Sequence, residues 1–482
     1  MDDTIQGTNE AFKIETNGIN RIPDSERTGR ARDLFWVWFA ANIGILAIPY
    51  GAILLAFGLN LWQGLLCAVA GVVLSFLIVG IFSVAGRDGG APMFTLSRAV
   101  FGMHGNRVPN FVSWISFLGW ESISVILSTL ALIPLLGRIL PIGTVPLALV
   151  SIVLVGGLVV AIGLLGQATL VVVQTWASYI FGLLTLIVVG FLITDTKWHA
   201  VLSLPAGSWT NGFIPAFTII AVGTGIGWAN AAADYSRYMP KRSSRRSIVW
   251  GSTLGAAIPL LVLISAGMLL TTREPSLAST GNPIGVIESA LPGWMGMPFV
   301  LTAVVGLIVE ADLSLYSSGL NLLSLGVKIQ RYKSVAVDSV VMVVATVYVV
   351  IIAKNFFSPF ESFLEIVGVG LASWAAIFLV DQIFVRSRVG GYGDSVLYDP
   401  SGSQGLTRRG WNVPALVAWF AGAVCGLLVT DSPLFVGPLA KGIFATSSLE
   451  IFVCMGVSAA VYGAWSGVAL RKVAAQPGAT GS

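Results

Sequence analysis

Residues 213–246 read FIPAFTIIAVGTGIGWANAAADYSRYMPKRSSRR, and this stretch decides the fold. It starts as an apolar run long enough to enter a bilayer and ends in a cluster of basic residues. Between the two come three alternating glycines, a tryptophan and an asparagine: Gly223, Gly225, Gly227, Trp228 and Asn230. Glycine loosens a helix, and hydrocarbon tolerates freed backbone groups only where they face protein or a wet cavity. The stretch therefore predicts either a transporter's membrane helix interrupted beside a binding site, or an ordinary membrane helix with glycines for close packing.

The composition is that of a polytopic, all-α integral membrane protein. Of the 482 residues, 55% are hydrophobic and only 10% are charged, whereas soluble domains carry roughly 25% charged residues. His104 and His199 lie outside the apolar runs, and the three cysteines lie inside them, so no metal site is expected. The absence of a GxxxxGK[ST] pattern argues against an ATP-driven pump. We expect no organic cofactor and no nucleic-acid partner; the expected partners are the lipid bilayer and a small-molecule substrate.

Twelve apolar runs are long enough to span a bilayer. They cover 34–57, 61–85, 110–136, 143–165, 168–193, 213–233, 248–271, 297–326, 335–353, 359–384, 411–430 and 449–470. An even number of spans puts both termini on one side, and 22 of the 27 Lys and Arg residues fall on that side. The positive-inside rule then predicts a multi-pass protein of the cell membrane with both termini in the cytoplasm.

The first span is interrupted in the same way as the sixth. Asn42, Gly44, Pro49 and Gly51 stand where a smooth helix would carry leucines, and proline frees a backbone carbonyl one turn earlier. Two broken helices five spans apart predict an inverted repeat with the binding site between the breaks, where Asn42 and Asn230 are candidate substrate ligands. The expected organisation is a cytoplasmic tail, two five-helix repeats, two additional helices and a second tail, over 1–33, 34–193, 213–384, 411–470 and 471–482. The polar ends, 1–30 and 473–482, are expected to be disordered.

Span 3 carries a polar stripe around a tryptophan. Ser113, Ser116, Trp120 and Ser124 fall on one helical face. Because an indole stacks on a flat ring while hydroxyls read its edges, this face is a candidate for binding a planar, polar substrate. Glu121 points away from the stripe, and a carboxylate at membrane depth is a functional candidate by default. A small-residue packing face, with Glu121 in a structural pair, is the alternative.

Span 8 is the other polar helix. Glu310, Ser314, Ser317 and Asn321 line one face, and Asp312 points to the opposite side. The Asn321 amide both donates and accepts, which suits the edge of a nucleobase or hydantoin. Glu310 is the stronger candidate for a proton relay and Asp312 the weaker one. The alternative is a polar patch satisfied by hydrogen bonds between helices.

Four motifs, in this order along a twelve-span frame, resemble the nucleobase–cation symporter-1 family of cytosine, purine, uracil, allantoin and hydantoin permeases. The resemblance covers about residues 30–470. The motifs are GRDGGAP (86–92) with RAVFGMHGN (98–106) and Pro109, then Gly119-Trp120, then DYSRY (234–238), then YSS (316–318) with Asn321. The resemblance implies a secondary transporter, not an enzyme, with a LeuT-like fold of two inverted five-helix repeats and two C-terminal helices.

The resemblance also implies roles for individual residues. Trp120 matches the family's stacking tryptophan, and Ser124 stands where relatives place an Asn or Gln that hydrogen-bonds the base. Trp228, or the backbone around Gly225, would supply the aromatic or open face of span 6. Asn321 matches the base-reading Asn of span 8. Because a serine hydroxyl reaches less far than an amide, the Ser124 departure leaves the exact substrate undecided.

The coupling ion is predicted to be a proton. Sodium-coupled relatives use span 1 carbonyls and two adjacent Ser/Thr residues of span 8, at positions that here hold Leu315 and Tyr316. Ser317 and Ser318 lie within one turn and are the substitute cation ligands, but a leucine side chain offers no oxygen to sodium. The carboxylates at membrane depth favour proton coupling: Glu121, Glu310 and Asp312.

The expected function is proton-coupled import of a nucleobase (cytosine or a purine) or a related heterocycle by alternating access. One alternative is sodium-coupled symport of allantoin, a hydantoin or thiamine. Another is transport of an amino acid or amine, with Glu121 as the anionic partner. A membrane-embedded enzyme is disfavoured because the spans hold no metal-ligating cluster and no Ser–His pair.

Overall fold

The computed structural model describes residues 11–280, 282–353 and 357–474. Within them, ten helices are long and apolar enough to cross a membrane, and one bent helix pair and one shorter apolar helix complete a set that matches the predicted runs in order. Spans 1 to 12 are Ala31–Asn42 with Ala47–Ala56, Leu61–Gly89, Arg107–Gly137, Thr144–Leu165, Gln167–Thr194, Trp209–Ala229, Arg245–Thr271, Gly293–Ser324, Arg331–Ala353, Phe357–Val380, Val413–Val429 and Glu450–Ala474.

Local signals set several of these boundaries. Asn60 begins span 2 with a capping box, in which its side chain accepts a hydrogen bond from the Gln63 backbone and the Gln63 side chain accepts one from the Asn60 backbone. Gly90 ends the same helix in the left-handed conformation, which a residue without Cβ adopts at little cost. Short helices fill the connections: Met93–Leu96, Arg98–Phe101, Trp198–Leu202, Ala232–Ser236, Pro283–Ala290 and Asp394–Tyr398.

Span 1 is broken where the sequence predicts. Its two halves, Ala31–Asn42 and Ala47–Ala56, are bent by 60° at the intervening residues. Pro49 lies in the first turn of the second half, where a missing backbone donor costs nothing. The break leaves Asn42 and Gly44 beside the centre of the molecule.

At its glycines, span 6 follows the second of the two predicted alternatives, a helix with glycines for close packing. The alternating glycines do not unwind the helix; Val222–Ile226 form wider, π-type turns that keep the backbone hydrogen-bonded. The regular helix is interrupted only after Ala229, at Asn230 and Ala231, before the short helix Ala232–Ser236. The glycines instead permit close packing, because a Cβ on Gly225 would lie 2.3 Å from the backbone of Ser75 in span 2.

The interior is built around span 8. This helix packs along span 3, while span 7 packs against spans 1 and 2, and spans 11 and 12 pack on each other. Spans 5, 9 and 12 are the least buried and expose apolar side chains outward, as expected of helices that face lipid. Polar side chains that the sequence places on spans 3 and 8 therefore face each other at the centre.

Residues 11–30 are folded onto the bundle, so the prediction of a wholly disordered N-terminal tail is wrong. Glu15, Asn17, Ile22 and Arg27 are buried, and Arg27 donates to the backbone carbonyl of Arg87. We call the end of the bundle that carries these residues the tail end, and the opposite end the far end. The predicted disorder of 1–10 and 475–482 lies outside the described residues, and residues 473 and 474 continue the helix of span 12.

Candidate functional site

Two adjoining hollows lie at the centre of the bundle, beside the break in span 1. They enclose about 250 Å³ and 330 Å³ of space between atoms, open solvent included. Both are lined by side chains or backbone of spans 3, 6 and 8: Trp120, Gly223, Thr224, Trp228 and Glu310. The sequence-predicted aromatic residues and one predicted carboxylate are therefore brought together at one place.

The two tryptophans are held from different directions. Trp120 of span 3 reaches across to span 6, where its indole nitrogen would lie 3.8 Å from a Cβ on Gly227. Trp228 follows directly in span 6 and packs edge-on against Trp38 of span 1, with ring centroids 5.8 Å apart. Trp38 in turn packs edge-on against Tyr235 at 5.5 Å, so the orientation of Trp228 is set by a buried aromatic cluster. Two indole faces at one cavity suit a flat ring.

The wide turns of span 6 place its backbone at the hollows. The Tyr50 hydroxyl of span 1 donates to the Gly223 carbonyl at 3.1 Å, and a Cβ on Gly223 would lie only 2.2 Å from that hydroxyl. Thr224 uses its hydroxyl to donate to the Ile220 carbonyl at 2.6 Å. Span 6 is therefore tied to span 1 on one side of the cavity by a contact that only glycine permits.

Span 8 supplies the strongest polar groups of the cavity. The Glu310 carboxylate lies against the break in span 1, where a Cβ on Gly44 would come within 3.4 Å of Oε2. Ser314, one helical turn further on, lines the same hollow as Trp120 and Trp228. Its hydroxyl is buried and has no hydrogen-bond partner among the described residues. A buried hydroxyl without a partner is costly unless a ligand or water completes it.

Of the three predicted substrate asparagines, Asn42 lies at the hollows, and Asn230 and Asn321 lie at another depth. Asn42 lines the larger hollow, and its amide donates to the Trp38 carbonyl at 2.8 Å. Asn230 and Asn321 lie toward the tail end, where both amides donate to the Ser113 hydroxyl, at 2.9 and 2.8 Å. Asn321 follows Ser314 by seven residues, or about 10 Å of helix, so it does not line either hollow.

Two further predicted substrate residues and four predicted coupling residues also lie outside the hollows. The Gly225 backbone donates to the Ser75 hydroxyl at 3.2 Å. Ser317 shares a hydrogen bond of 3.1 Å with Tyr235. The others are buried elsewhere in spans 3 and 8: Ser124, Glu121, Asp312 and Ser318. No three His, Cys, Asp or Glu side chains converge as a metal site in the part of the chain that the structure describes.

A larger cavity of about 690 Å³ lies nearer the far end, between spans 1, 5, 7 and 8. It shares only Gly44 with the central hollows. Its lining is almost wholly apolar, and the two hydroxyl side chains in it are Thr185 and Thr302. No charged side chain lines this cavity, and its apolar walls offer few hydrogen-bonding groups to a polar substrate. We therefore place the candidate site at the central hollows.

A buried charge cluster lies at the tail end, and sequence reasoning missed it. The Glu15 carboxylate accepts hydrogen bonds from the Arg237 guanidinium at 2.8 Å, the Tyr238 hydroxyl at 2.6 Å and the Gln167 backbone at 2.9 Å. Arg331 of span 9 approaches the same carboxylate at 3.9 Å. The N-terminal segment thereby connects the end of span 6, the start of span 5 and the start of span 9. We call these residues the Glu15 cluster.

Comparison with known proteins identifies the family. A family model described as a permease for cytosine/purines, uracil, thiamine and allantoin matches residues 21–453. The chain belongs to this family. It is 27% identical to the putative purine-cytosine permease YxlA of Bacillus subtilis, over 94% of this chain and 95% of that one. It is 25% identical to the purine-cytosine permease FCY2 of Saccharomyces cerevisiae, over 79% of this chain and 73% of that one.

Comparison with solved structures shows which fold the permease has. A closed conformation of the nucleobase-cation-symport-1 family transporter Mhp1, with bromovinylhydantoin bound, superposes with a TM-score of 0.71 at 19% identity, covering 95% of this chain and 96% of that one. A sodium-coupled sialic acid symporter gives 0.63 at 12% identity, covering 96% of this chain and 93% of that one. The permease is a multi-pass membrane transporter with the LeuT-like fold. These relatives are transporters, which favours transport over the enzyme alternative.

Proposed function

We propose that this permease imports a nucleobase or a related heterocycle by proton-coupled symport with alternating access. The observation that carries the proposal is the central cavity, where Trp120 and Trp228 face a space bordered by Glu310 and Ser314. Indole faces stack on any flat ring, and the polar groups of span 8 meet its edge. The purine-cytosine permeases among the relatives support this substrate class.

The proposed cycle begins outside the cell. The tail end, with its 22 basic residues, is the cytoplasmic end, and the Glu15 cluster closes it while substrate enters from the far end. A proton on a carboxyl group at membrane depth favours the loaded state, because a neutral acid is buried in a closed site at less electrostatic cost than a carboxylate. Opening of the Glu15 cluster then releases substrate and proton inside.

The test is uptake of radiolabelled cytosine, adenine, hypoxanthine, uracil and allantoin by cells that express the permease. We expect saturable uptake that rises at acidic pH and does not depend on sodium. Uptake that requires sodium would show that sodium is the coupling ion, and Ser317 and Ser318 would then be its candidate ligands. Absence of uptake of every heterocycle would contradict the proposal.

A positively charged amine is the second candidate substrate. It is favoured by one observation: Glu310 borders the cavity, and no described Lys or Arg lines either hollow. A cation held between two indoles beside a carboxylate is a known recognition mode. Competition by thiamine or simple quaternary amines, without competition by neutral bases, would favour this alternative.

A further inference from the structure

Two side chains of span 8 form a polar edge, of which only Glu310 was given a role from the sequence, as a proton relay. Glu310 and Ser314 are one turn apart on the same helical face and both border the hollow of about 250 Å³ between the tryptophans. The Ser314 side chain is 1% exposed, and its hydroxyl has no partner among the described residues. Trp120 and Trp228 line the same hollow, so a flat ligand stacked on an indole there would present its edge to these two groups.

The charges around Glu310 restrict what it can bind. Spans 1, 3, 6 and 7 contribute the other lining residues of the hollows, and Tyr50 is the one ionisable side chain among them. Its hydroxyl already donates to the Gly223 carbonyl. No described Lys, Arg or His lines either hollow. An ionised Glu310 therefore has no counter-charge of its own, and the group is better accommodated as the neutral acid or opposite a ligand's N–H groups.

A neutral carboxylic acid presents one donor and one acceptor side by side. The complementary ligand edge is a ring nitrogen next to an exocyclic amino group: the acid O–H donates to the ring nitrogen, and the acid C=O accepts from the amino N–H. The Ser314 hydroxyl, one turn away, then has a donor available for an oxygen at the third position of the same edge. An aminopyrimidinone such as cytosine carries this amino, ring-nitrogen and oxo sequence.

We infer that Glu310 and Ser314 together read the edge of an aminopyrimidinone, and that the transported proton is the one that Glu310 donates to the substrate's ring nitrogen. This inference rests on the proposed function and names its substrate class. On the outer side the carboxylate takes up one proton, and its O–H bonds to the base. On the inner side the base leaves and the proton is released, so one proton accompanies each base.

The first test compares Glu310→Gln with the wild-type permease, using calorimetric titration of the purified full chain with cytosine at several pH values. A glutamine amide keeps one donor and one acceptor but cannot ionise. Wild-type affinity should weaken by up to tenfold per pH unit once Glu310 ionises, whereas the Gln variant should bind with the same affinity throughout. In cells, the Gln variant should exchange cytosine but should not accumulate it under a proton gradient. Glu288→Gln, on the far-end surface, is the matched control.

The second test probes the edge atom by atom. Ser314→Ala should weaken cytosine binding about tenfold and leave adenine, which has no oxo group, unchanged; Ser373→Ala, a buried serine outside the hollows, is its control. In 3-deazacytosine a C–H replaces the ring nitrogen, and its binding to the wild-type permease should lose the dependence on pH.

Three results would overturn the inference. Acid-driven accumulation by the Gln variant would separate the proton from Glu310. Equal losses of cytosine and adenine binding in Ser314→Ala would make that residue merely structural. Binding of uracil without cytosine or adenine would contradict the edge while leaving nucleobase import intact, whereas absence of binding of every base would contradict the proposed function as well.

Discussion

Trp120 is the residue on which recognition of the ring should depend most. Stacking of a base on an aromatic side chain contributes about 1–3 kcal/mol, so we expect Trp120→Ala to weaken substrate binding roughly tenfold or more. Trp120→Phe should keep part of the affinity. Trp176, 65% exposed on the lipid-facing side of span 5, provides the control. Titration of the purified variants measures the effect, and equal affinities for Trp120→Ala and Trp176→Ala would contradict stacking at this site.

Gly223 should tolerate no side chain. A Cβ there would lie 2.2 Å from the Tyr50 hydroxyl and 2.8 Å from Cζ, so Gly223→Ala must displace the ring and lose the hydrogen bond to the backbone. Overpacking of this kind lowers the free energy of unfolding by about 1–3 kcal/mol. The displaced Tyr50 ring would enter the central hollow that it lines, the one of about 330 Å³. We expect reduced thermal stability and little uptake.

Gly190→Ala is the matched control for this change. Gly190 lies in span 5 with nothing within 4 Å of its added Cβ. Normal uptake by both variants would show that transport does not need the hydrogen bond between Tyr50 and the backbone of span 6. Expression and monodispersity should be followed for both, because a folding defect and a transport defect predict different yields of purified protein.

For single residues, the sequence predicts which polar side chains lie in the interior better than it predicts their position along the helix. The helical period places Glu310, Ser314 and Asn321 on one face of span 8. It does not say which turn of that face lies opposite Trp120, because the answer depends on how far span 8 slides along span 3. Asn321 is therefore predicted as the base reader, while the structure places Ser314 at the cavity and Asn321 against Ser113.

Among the elements, the N-terminal segment should act as a closure of the tail end. Glu15→Ala leaves the Arg237 guanidinium buried without its carboxylate, and loss of one partner of a buried ion pair costs about 3–5 kcal/mol. We expect faster hydrogen–deuterium exchange at residues 11–30 and 231–239, together with weaker retention of substrate. Asp24→Ala, which removes the exposed carboxylate that pairs with Arg27 in the same segment, should change exchange much less than Glu15→Ala. Unaltered exchange in Glu15→Ala would show that the segment merely covers the bundle.

The end of span 6 should make stability depend on pH through Asp234. This carboxyl accepts a hydrogen bond from the Met93 backbone at 2.7 Å, and burial raises its pKa from 3.8 to about 7. The folded state therefore holds a proton that the unfolded chain loses above about pH 4, and stability falls as the pH rises from about 4 to about 7, by up to about 1.4 kcal/mol per pH unit.

Asp234→Asn isolates this contribution. The amide keeps an acceptor for the Met93 backbone but cannot ionise. Melting temperatures of the two proteins should converge at acidic pH, and the variant should be the more stable one at neutral pH. Parallel curves across the whole range would show that Asp234 does not titrate in the folded protein.

The two interrupted helices, spans 1 and 6, show why the shape of a helix could be predicted only in part from the sequence. Span 1 breaks as expected because Pro49 and the neighbouring glycines act through the local backbone. The glycines of span 6 allow two outcomes, an unwound segment or close packing, and the choice depends on Tyr50 and Ser75, which belong to other spans. The Glu15 cluster was not predictable from a polar tail, since its partners lie more than 150 residues away in the sequence.

For the whole molecule, the unequal charge of the two ends predicts the orientation in the membrane. Ser279 lies in the connection between spans 7 and 8 at the far end, and Ser401 lies between spans 10 and 11 at the tail end; both are exposed. In a variant without the native cysteines, Ser279→Cys should react with an impermeant maleimide on intact cells. Ser401→Cys should react only after the membrane is opened. The reverse pattern would invert the proposed direction of transport.

The Glu15 cluster also has a consequence for synthesis of the chain. Its carboxylate is translated among the first residues, but its partners emerge much later: Gln167, Arg237, Tyr238 and finally Arg331. A ribosome must therefore deliver more than two thirds of the 482 residues before the N-terminal segment has its complete docking site. Until then the tail end of a nascent permease lacks these contacts, and a chain that terminates before Arg331 cannot complete them.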